Sequence, residues 1–453
     1  MGVVELQWAL LILFGLLFFL IAPYSKTVDQ FFAAQSTEGK KPGVWILTAS
    51  LVISWIFAKS ITNAANLGLE FGMVGGVAYS VYYVSFMVGG YIIYQLRVKG
   101  NFNSIHQFLQ TRFGRSAVVV FSILIGLRLF NEVWSNTMVI GSYFGEPGER
   151  SYVYSILLVT ILTLAYTIKG GLRSSLLTDA IQMIFFGMML LILLSLIIPD
   201  KEVTTYQMIS SGSWTMSTGL NLMLAALLQC LSYPFHDPVL TDRGFISTPK
   251  ITLKSFVYAA FIGAFCIMLF SFVGIYAAQK DLVGQAPVEV AKLLGVAGML
   301  AMNFIMITSA ASTLDSTFSS FSKLVVIDLG QDKLKTVRRG RMMMVLIVIL
   351  GTIPIFFNPE ILSATTVSGT MVMGLAPVFI LWKIKAPSIS FQLSVWFGIF
   401  VGLIMAFGLF PQVMVLTSGR YSTLLWANIW GLLICFVLFF LPILIINGKK
   451  NVH

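Results

Sequence analysis

Long apolar runs separated by short polar segments make up most of this chain. A membrane-spanning helix needs about 20 mostly apolar residues, and thirteen runs of roughly this length can be marked along the sequence. They are called spans one to thirteen and cover residues 6–24, 43–70, 73–97, 117–145, 151–168, 173–198, 216–241, 252–278, 294–328, 341–357, 361–382, 389–409 and 423–446. The pattern predicts an all-α integral membrane protein with thirteen transmembrane helices.

Spans two and seven interrupt this apolar pattern. Span two contains ISWIFAKSITNAANLG (53–68), and span seven runs into QCLSYPFHDPVLTDRG (229–244), where two prolines flank a His-Asp pair. Proline disrupts helical hydrogen bonds, and the freed backbone groups are tolerated at membrane depth only where protein or a water-filled cavity satisfies them. Kinked bundle helices without a transport role are the simpler interpretation. Paired breaks at corresponding positions instead favour a secondary transporter.

The two breaks lie five spans apart, which predicts two five-helix repeats of inverted topology. The first repeat would cover residues 43–198 and the second 216–382. One extra helix at 6–24 and two at 389–446 complete a single membrane domain over 1–453.

Composition agrees with a membrane protein. Hydrophobic residues make up 57% of the 453 positions and charged residues 10%, against about 25% charged in a typical soluble domain. The net charge of +11 does not come from one basic stripe, so we expect no nucleic-acid partner. The three cysteines lie inside apolar runs, so we expect them to be buried and to pack as small hydrophobic residues.

Basic residues are strongly biased to alternate loops. With the N-terminus outside, 21 of the 29 Lys and Arg fall in cytoplasmic segments and five in outer ones. The positive-inside rule therefore predicts an outer N-terminus and a cytoplasmic C-terminus. Short loops favour a bacterial inner membrane, and a monomer or weak homo-oligomer is expected.

Three segments resemble the sodium/solute symporter family. They are SIHQFLQTRFG (104–114), IKGGLRSSLLTDAIQ (168–182) and TSAASTLDSTFSSFSKLVVIDL (308–329). The resemblance implies a LeuT-type fold with spans two to eleven as its core. It also implies transport without enzymatic activity, with Na⁺ as the co-transported ion and no organic cofactor.

A sodium site follows from this resemblance. It would use the backbone carbonyls of Ile53 and Ile56 at the break in span two and the hydroxyls of Ser309, Ser312 and Thr313 on span nine. The hydroxyl residues are spaced three and four apart and so lie on one helical face, where small polar residues also serve helix packing.

Asp179 and Asp315 are candidates for a second ion or coupling position, together with Ser316. Asp179 matches the family's acidic residue, and a carboxylate within a span is costly and usually functional. Asp315 departs from the family pattern, in which an uncharged residue is usual. An additional sodium, a proton-coupled step, or an ion pair with Lys59 would each explain it.

The broken spans and span four supply the candidate substrate-binding residues. These are Trp55, Lys59, Ser60, Asn63, Glu132, Asn136, Tyr233, His236 and Asp237. These buried charges could neutralise one another and stabilise the bundle, as a Lys59–Glu132 pair or as an Arg128–Glu132 pair, whose members are four residues apart. Alternatively, they could bind the ionic groups of a solute.

Taken together, the sequence predicts a sodium-coupled symporter that imports a small polar solute, charged or zwitterionic, by alternating access. The alternatives are a proton-coupled symporter of the same fold and a transporter-like solute sensor. The partners expected are the solute, sodium and the lipid bilayer.

Overall fold

The computed structural model describes residues 2–198, 203–330, 335–357 and 369–450, with side chains to 446. Within these residues, ten helices are long and apolar enough to cross a membrane, and a bent pair would make eleven. The all-α membrane fold is thus confirmed. The predicted number of thirteen spans exceeds the ten or eleven found in the described residues and stays a prediction.

Ten predicted spans coincide with continuous long helices. These are Val3–Ile21, Met73–Val98, Arg115–Gly141, Arg150–Gly170, Leu172–Ile197, Pro249–Gln279, Gly295–Asp328, Val337–Phe357, Ser388–Ala406 and Ser422–Ile446. The helix that ends at Ile446 by this criterion continues to Lys450 as a helix. Span boundaries from the sequence agree within a few residues, because apolar length fixes them.

Span two is broken where the sequence places its polar residues. Its halves, Val44–Trp55 and Ala58–Phe71, bend by 62° at the break. Ile56 caps the first half, and its N–H bonds the Val52 carbonyl. The last four carbonyls of a helix have no intrahelical partner, so the break supplies acceptors such as the Ile53 carbonyl inside the bundle.

Span seven is also broken. A short helix, Leu220–Gln229, is followed by a turn at Tyr233–Phe235 and a second short helix, Pro238–Arg243. Neither piece is long enough to cross a membrane alone. Span eleven is described only in part: residues 361–368 lie outside the described residues, and the helix Leu375–Ile380 is its regular portion.

The chain divides into two compact units. The first comprises residues 1–80, 129–213 and 261–360, and the second 81–128, 214–260 and 361–453. The first unit contains both halves of span two and spans five, six and nine. The second contains span seven and the last two helices.

In the first unit, the second half of span two, Ala58–Phe71, packs very closely on span eight. A Cβ added at Gly274 would lie 1.6 Å from the Ala65 carbonyl oxygen, and one at Gly68 would lie 2.3 Å from the Ser271 carbonyl oxygen. Small residues let helix backbones approach in this way. This contact holds the half-helix that follows the break.

Gly274→Ala is expected to lower the midpoint of thermal unfolding in detergent, because the added methyl group has no room. Overpacking of this kind costs about 1–3 kcal/mol or more. Gly187→Ala is the matched control, since a Cβ there meets nothing within 4 Å and a helical Gly→Ala change stabilises by about 0.5–1 kcal/mol. Equal midpoints for the two variants would contradict the close packing.

Candidate functional site

Two of the predicted sodium ligands, Ser309 and Ile56, are in direct contact in the first unit. The Ser309 hydroxyl donates to the carbonyl of Ile56, the residue that caps the first half of span two. Span nine therefore contacts span two at the break itself. The Thr313 hydroxyl donates to the Ser309 carbonyl on its own helix, 3.0 Å away, and its oxygen lone pairs are not used in this bond.

Asp179 lies beside this contact and is fully buried. Its Oδ1 accepts from the Ser312 hydroxyl at 2.5 Å, and its Oδ2 accepts from Ser50 at 2.5 Å and Ser54 at 3.2 Å. Spans two, six and nine thus converge on one carboxylate. The hydrogen bonds fix the orientation of both of its oxygens.

Asp315 forms a second carboxylate centre close to the first. It accepts hydrogen bonds from Tyr166 at 3.0 Å, Ser175 at 2.7 Å and Thr178 at 2.9 Å. Ser316 bonds it at 3.3 Å. All of these partners are hydroxyl groups, so an ion pair with Lys59, one of the three explanations from the sequence, is not formed.

Shared hydroxyls link the two carboxylates. Ser175 lies 2.7 Å from Asp315 Oδ1 and 3.5 Å from Asp179 Oδ2. The Ser316 hydroxyl is 3.1 Å from Ser175 and 3.0 Å from Ser54, which also bonds Asp179. Two buried carboxylates joined in this way repel one another unless positive charge compensates them.

The group of polar side chains around Asp179 and Asp315 is larger than the sequence predicted. Ser50, Ser54, Tyr166, Ser175 and Thr178 take part and were not among the candidates. Two signals could have indicated them: Ser50 and Ser54 are four residues apart on span two, and Ser175 and Asp179 are four apart on span six. Such pairs lie on one helix face.

Among the substrate candidates, Lys59 and Glu132 form a buried ion pair, with Nζ and Oε2 2.8 Å apart. Lys59 also donates to Ser135 at 3.2 Å, and Asn136 donates to Glu132 Oε2 at 2.8 Å. Of the two pairings considered for Glu132, the structure contains the one with Lys59. Arg128 pairs elsewhere.

A second polar group lies further along span two. The Tyr79 hydroxyl donates to Ser60 at 3.2 Å and accepts from Asn63 at 3.4 Å. Tyr79 was not predicted, because a tyrosine in an apolar span usually packs. Trp55 is buried and packs near Phe57, with ring centroids 6.3 Å apart.

In the second unit, the candidates on span seven are held by Arg128. Its guanidinium lies 2.7 Å from Asp237 Oδ2 and 2.9 Å from the Tyr233 hydroxyl. Asp237 Oδ1 accepts from the Val239 N–H and caps the helix that follows. His236 Nδ1 is 2.6 Å from the Tyr233 carbonyl oxygen. Asp237 therefore stabilises the break in span seven by capping the second short helix and pairing with Arg128.

The sequence model of the sodium:solute symporter family matches residues 36–212. The resemblance to that family is confirmed. The match includes span two and Asp179, and the relatives below are transporters, not enzymes.

Three curated relatives align with about a third of the chain. A sodium/glucose cotransporter of Vibrio parahaemolyticus is 26% identical over 166 residues, 35% of this chain and 29% of the relative. A urea active transporter of Saccharomyces cerevisiae is 24% identical over 174 residues, covering 36% and 22%. Sodium/glucose cotransporter 4 of Mus musculus is 27% identical over 160 residues, covering 34% and 22%. The aligned part spans less than a third of each relative.

Solved structures match nearly the whole chain. A Na⁺-coupled sialic acid symporter, in a substrate-bound outward-open state with a novel Na⁺ site, has a TM-score of 0.65 at 16% identity and covers 96% of both chains. A nucleobase-cation-symport-1 family transporter in a closed conformation has a TM-score of 0.56 at 12% identity, covering 92% of this chain and 94% of its own. These are LeuT-fold transporters, and the likeness establishes the fold.

Proposed function

We propose that this protein is a sodium-coupled symporter that moves a small polar solute by alternating access. The observation that carries the proposal is the contact of Ser309 with the Ile56 carbonyl at the break in span two. Backbone carbonyls at broken helices coordinate Na⁺ in secondary transporters without burying a second charge. The match to the sodium:solute symporter family supports this assignment.

The sodium ion would be bound by the carbonyls of Ile53 and Ile56 and by the hydroxyls of Ser309, Ser312 and Thr313. All are hard oxygen donors, the kind that sodium prefers. To bind the ion, the Ser309 hydroxyl would turn its hydrogen away from the Ile56 carbonyl, so that both oxygens face the ion. Asp179 supplies negative charge beside this position through Ser312.

A second positive charge would sit between Asp179 and Asp315, with Ser316 as a ligand. The two buried carboxylates share hydroxyl partners, so their mutual repulsion makes the centre selective for cations. A second sodium would use this centre in a purely sodium-driven transporter. A proton would use it in the proton-coupled alternative.

Asp315→Ser is expected to weaken the dependence of uptake on the second cation while leaving sodium binding at Ser309 intact. The measurement is the Hill coefficient for sodium in solute uptake, together with the dependence on a pH gradient. Asp315→Glu serves as the conservative comparison because it retains the charge. Unchanged cation dependence in Asp315→Ser would remove Asp315 from the coupling mechanism.

Coupling requires sodium to bind better to the solute-competent state. Only such differential affinity shifts the conformational equilibrium. Span two would provide this difference in sodium affinity. Its first half ends at Ile56, whose carbonyl would bind sodium, and its second half begins at Ala58, next to the solute candidate Lys59. Sodium that fixes the angle between the halves would fix the solute groups as well.

The solute would be charged or zwitterionic. Within the first unit, Lys59 could meet a carboxylate and Glu132 an ammonium or hydroxyl group, with Ser60, Asn63 and Asn136 as neutral partners. Trp55 in the first unit, and Tyr233 and His236 in the second, are further candidates for contact with the solute. Asp237 is the weakest candidate, because it caps a helix and pairs with Arg128.

The proposed topology has thirteen spans with inverted five-helix repeats at 43–198 and 216–382. Span seven would be one broken crossing made of its two short helices, and span eleven would complete the second repeat. Counting basic residues supports an outer N-terminus and a cytoplasmic C-terminus. We propose a bacterial inner membrane and a monomer or weak homo-oligomer.

The test is uptake by proteoliposomes of a panel of labelled solutes, with and without an inward sodium gradient. Uptake that requires sodium and is lost in Ser312→Ala supports the proposal and identifies the solute class. Uptake driven by a pH gradient and indifferent to sodium contradicts it and favours proton coupling. Solute binding without uptake of any panel member would favour a solute sensor.

A further inference from the structure

Four basic side chains come together where the ends of spans one, five and ten meet in the first unit. Lys26 follows the end of span one, and Lys169 lies in the last turn of span five. Arg338 and Arg341 lie in the first turns of span ten. We call these four residues the basic cluster. None of them belongs to the proposed sodium or solute sites.

Arg341 contacts the ends of both other spans. Its Nη2 lies 3.4 Å from the carbonyl oxygen of Ser25 and 3.4 Å from that of Lys169. Lys26 is the residue after Ser25, so it lies next to this contact. Arg338 precedes Arg341 by three residues on the same helix, and residues with this spacing share a helix face. The four cationic groups therefore converge on one small region.

The charge of the basic cluster is not neutralised within the part of the chain that the structure describes. There, none of its four side chains forms an ion pair. Lys169 and Arg341 donate to backbone carbonyls at the ends of spans one and five, and a helix C-terminus offers only about half an elementary negative charge. Asp29, on the short helix Val28–Ala33, is the acidic residue nearest to the cluster in sequence. The cluster thus keeps a net positive charge.

The apolar outer surface of span one continues from the basic cluster into the membrane. Phe19 and Leu20 are exposed on this surface, and Lys169 Nζ lies 4.5 Å from the centroid of the Phe19 ring. Tyr24 is also exposed, and the Arg341 guanidinium lies 4.8 Å from its ring centroid. Tyrosine is enriched where a membrane meets water. This arrangement puts the cationic groups at the depth of lipid headgroups, beside a surface that acyl chains cover.

We propose that the basic cluster binds the phosphate group of an anionic phospholipid whose acyl chains pack against span one. Phosphate oxygens form strong hydrogen bonds with Lys and Arg, and basic pockets between transmembrane helices bind anionic headgroups. A zwitterionic phospholipid carries its own ammonium group, which the positive charge of the cluster repels. A soluble phosphate lacks the contact with span one. The inference goes beyond the proposed transport and does not depend on it, so either can fail alone.

The double variant Lys26→Gln/Arg338→Gln tests this site. Both side chains are exposed and form no ion pair among the described residues, so their replacement leaves the fold intact. Lys41→Gln/Lys385→Gln is the matched control. It removes the same charge from two other exposed residues, in segments that the positive-inside rule places on the same side.

Native mass spectrometry of the detergent-solubilised protein measures the binding of phosphatidylglycerol and phosphatidylcholine with identical acyl chains. Each basic residue near a membrane surface contributes about fivefold in affinity for an anionic lipid. The unmodified protein should therefore bind phosphatidylglycerol at least about 25-fold more tightly than phosphatidylcholine. The Lys26→Gln/Arg338→Gln variant should lose this preference, and the control should keep it. Equal losses in the two double variants would attribute the preference to overall surface charge and overturn the site, as would equal binding of both lipids by the unmodified protein.

Glycerol 3-phosphate separates a lipid site from a site for a soluble anion, because it has the phosphate group without acyl chains. We expect a hundredfold excess of it to leave bound phosphatidylglycerol in place, since it cannot pack against Phe19 and Leu20. Displacement by an equal concentration would overturn the proposal and make the basic cluster a site for soluble phosphates.

Discussion

Asp179→Asn is expected to reduce sodium affinity on the order of 10- to 100-fold, because hydrogen bonds and contacts to a charged group are worth about 1.5–3 kcal/mol. The carboxylate is the point where Ser50, Ser54 and Ser312 meet. Asparagine keeps its size and one acceptor oxygen but removes the charge. Titration of ²²Na⁺ binding to the purified protein measures the change.

The matched control is Asp281→Asn. Asp281 is exposed, in a turn with φ of 51°, a conformation that asparagine adopts readily. The control should bind sodium as the unmodified protein does, and both variants should elute as folded protein. If Asp179→Asn bound sodium with undiminished affinity, Asp179 would act in folding, and the carboxylate would have no part in ion binding.

The break in span two could be predicted from the sequence because it violates a strong rule. Polar residues at membrane depth are costly, so the run from Lys59 to Asn63 had to lie against protein. The helix bends there by 62°. The contact of span nine with Ile56 was predicted by the family resemblance, since serines three and four apart fit helix packing equally well.

The partners of the buried charges could not be predicted. Glu132 had two basic candidates: Arg128, four residues earlier on the same helix, and Lys59 on another span. The sequence does not choose between them. In the structure Lys59 pairs with Glu132 at 2.8 Å, and Arg128 pairs with Asp237 at 2.7 Å. The partner of each charge depends on which helices are neighbours in the folded protein, and a single sequence does not show which helices these are.

The hydroxyls around Asp315 were missed for a related reason. Serine and threonine are common at helix interfaces in membranes, so the spacing of Ser175 from Asp179 is a weak signal, and Thr178 carries none until a carboxylate from another span is placed against it. Asp315 itself was recognised as unusual. Its environment of hydroxyls from spans five, six and nine is a property of the fold.

The Lys59–Glu132 pair gives the largest expected effect on stability. Both side chains are almost fully buried, at 2% and 4% exposure. Removing one partner leaves an uncompensated buried charge, which costs about 3–5 kcal/mol. Lys59→Met alone and Glu132→Gln alone should therefore both lower the thermal unfolding midpoint in detergent strongly, and the double variant should recover much of the loss.

Lys292→Met supplies the comparison that isolates burial. Lys292 pairs with Glu289 at 2.9 Å, nearly the same distance, but its side chain is 58% exposed, and exposed pairs contribute about 0–1 kcal/mol. A double-mutant cycle on Lys59 and Glu132 gives their coupling free energy directly. Strong coupling with solute uptake retained in the double variant would make the pair a structural element, whereas recovered stability with uptake lost would place both charges at the solute. Additive losses in the cycle would contradict the pair itself, because two residues that neutralise one another inside the bundle cannot be replaced independently.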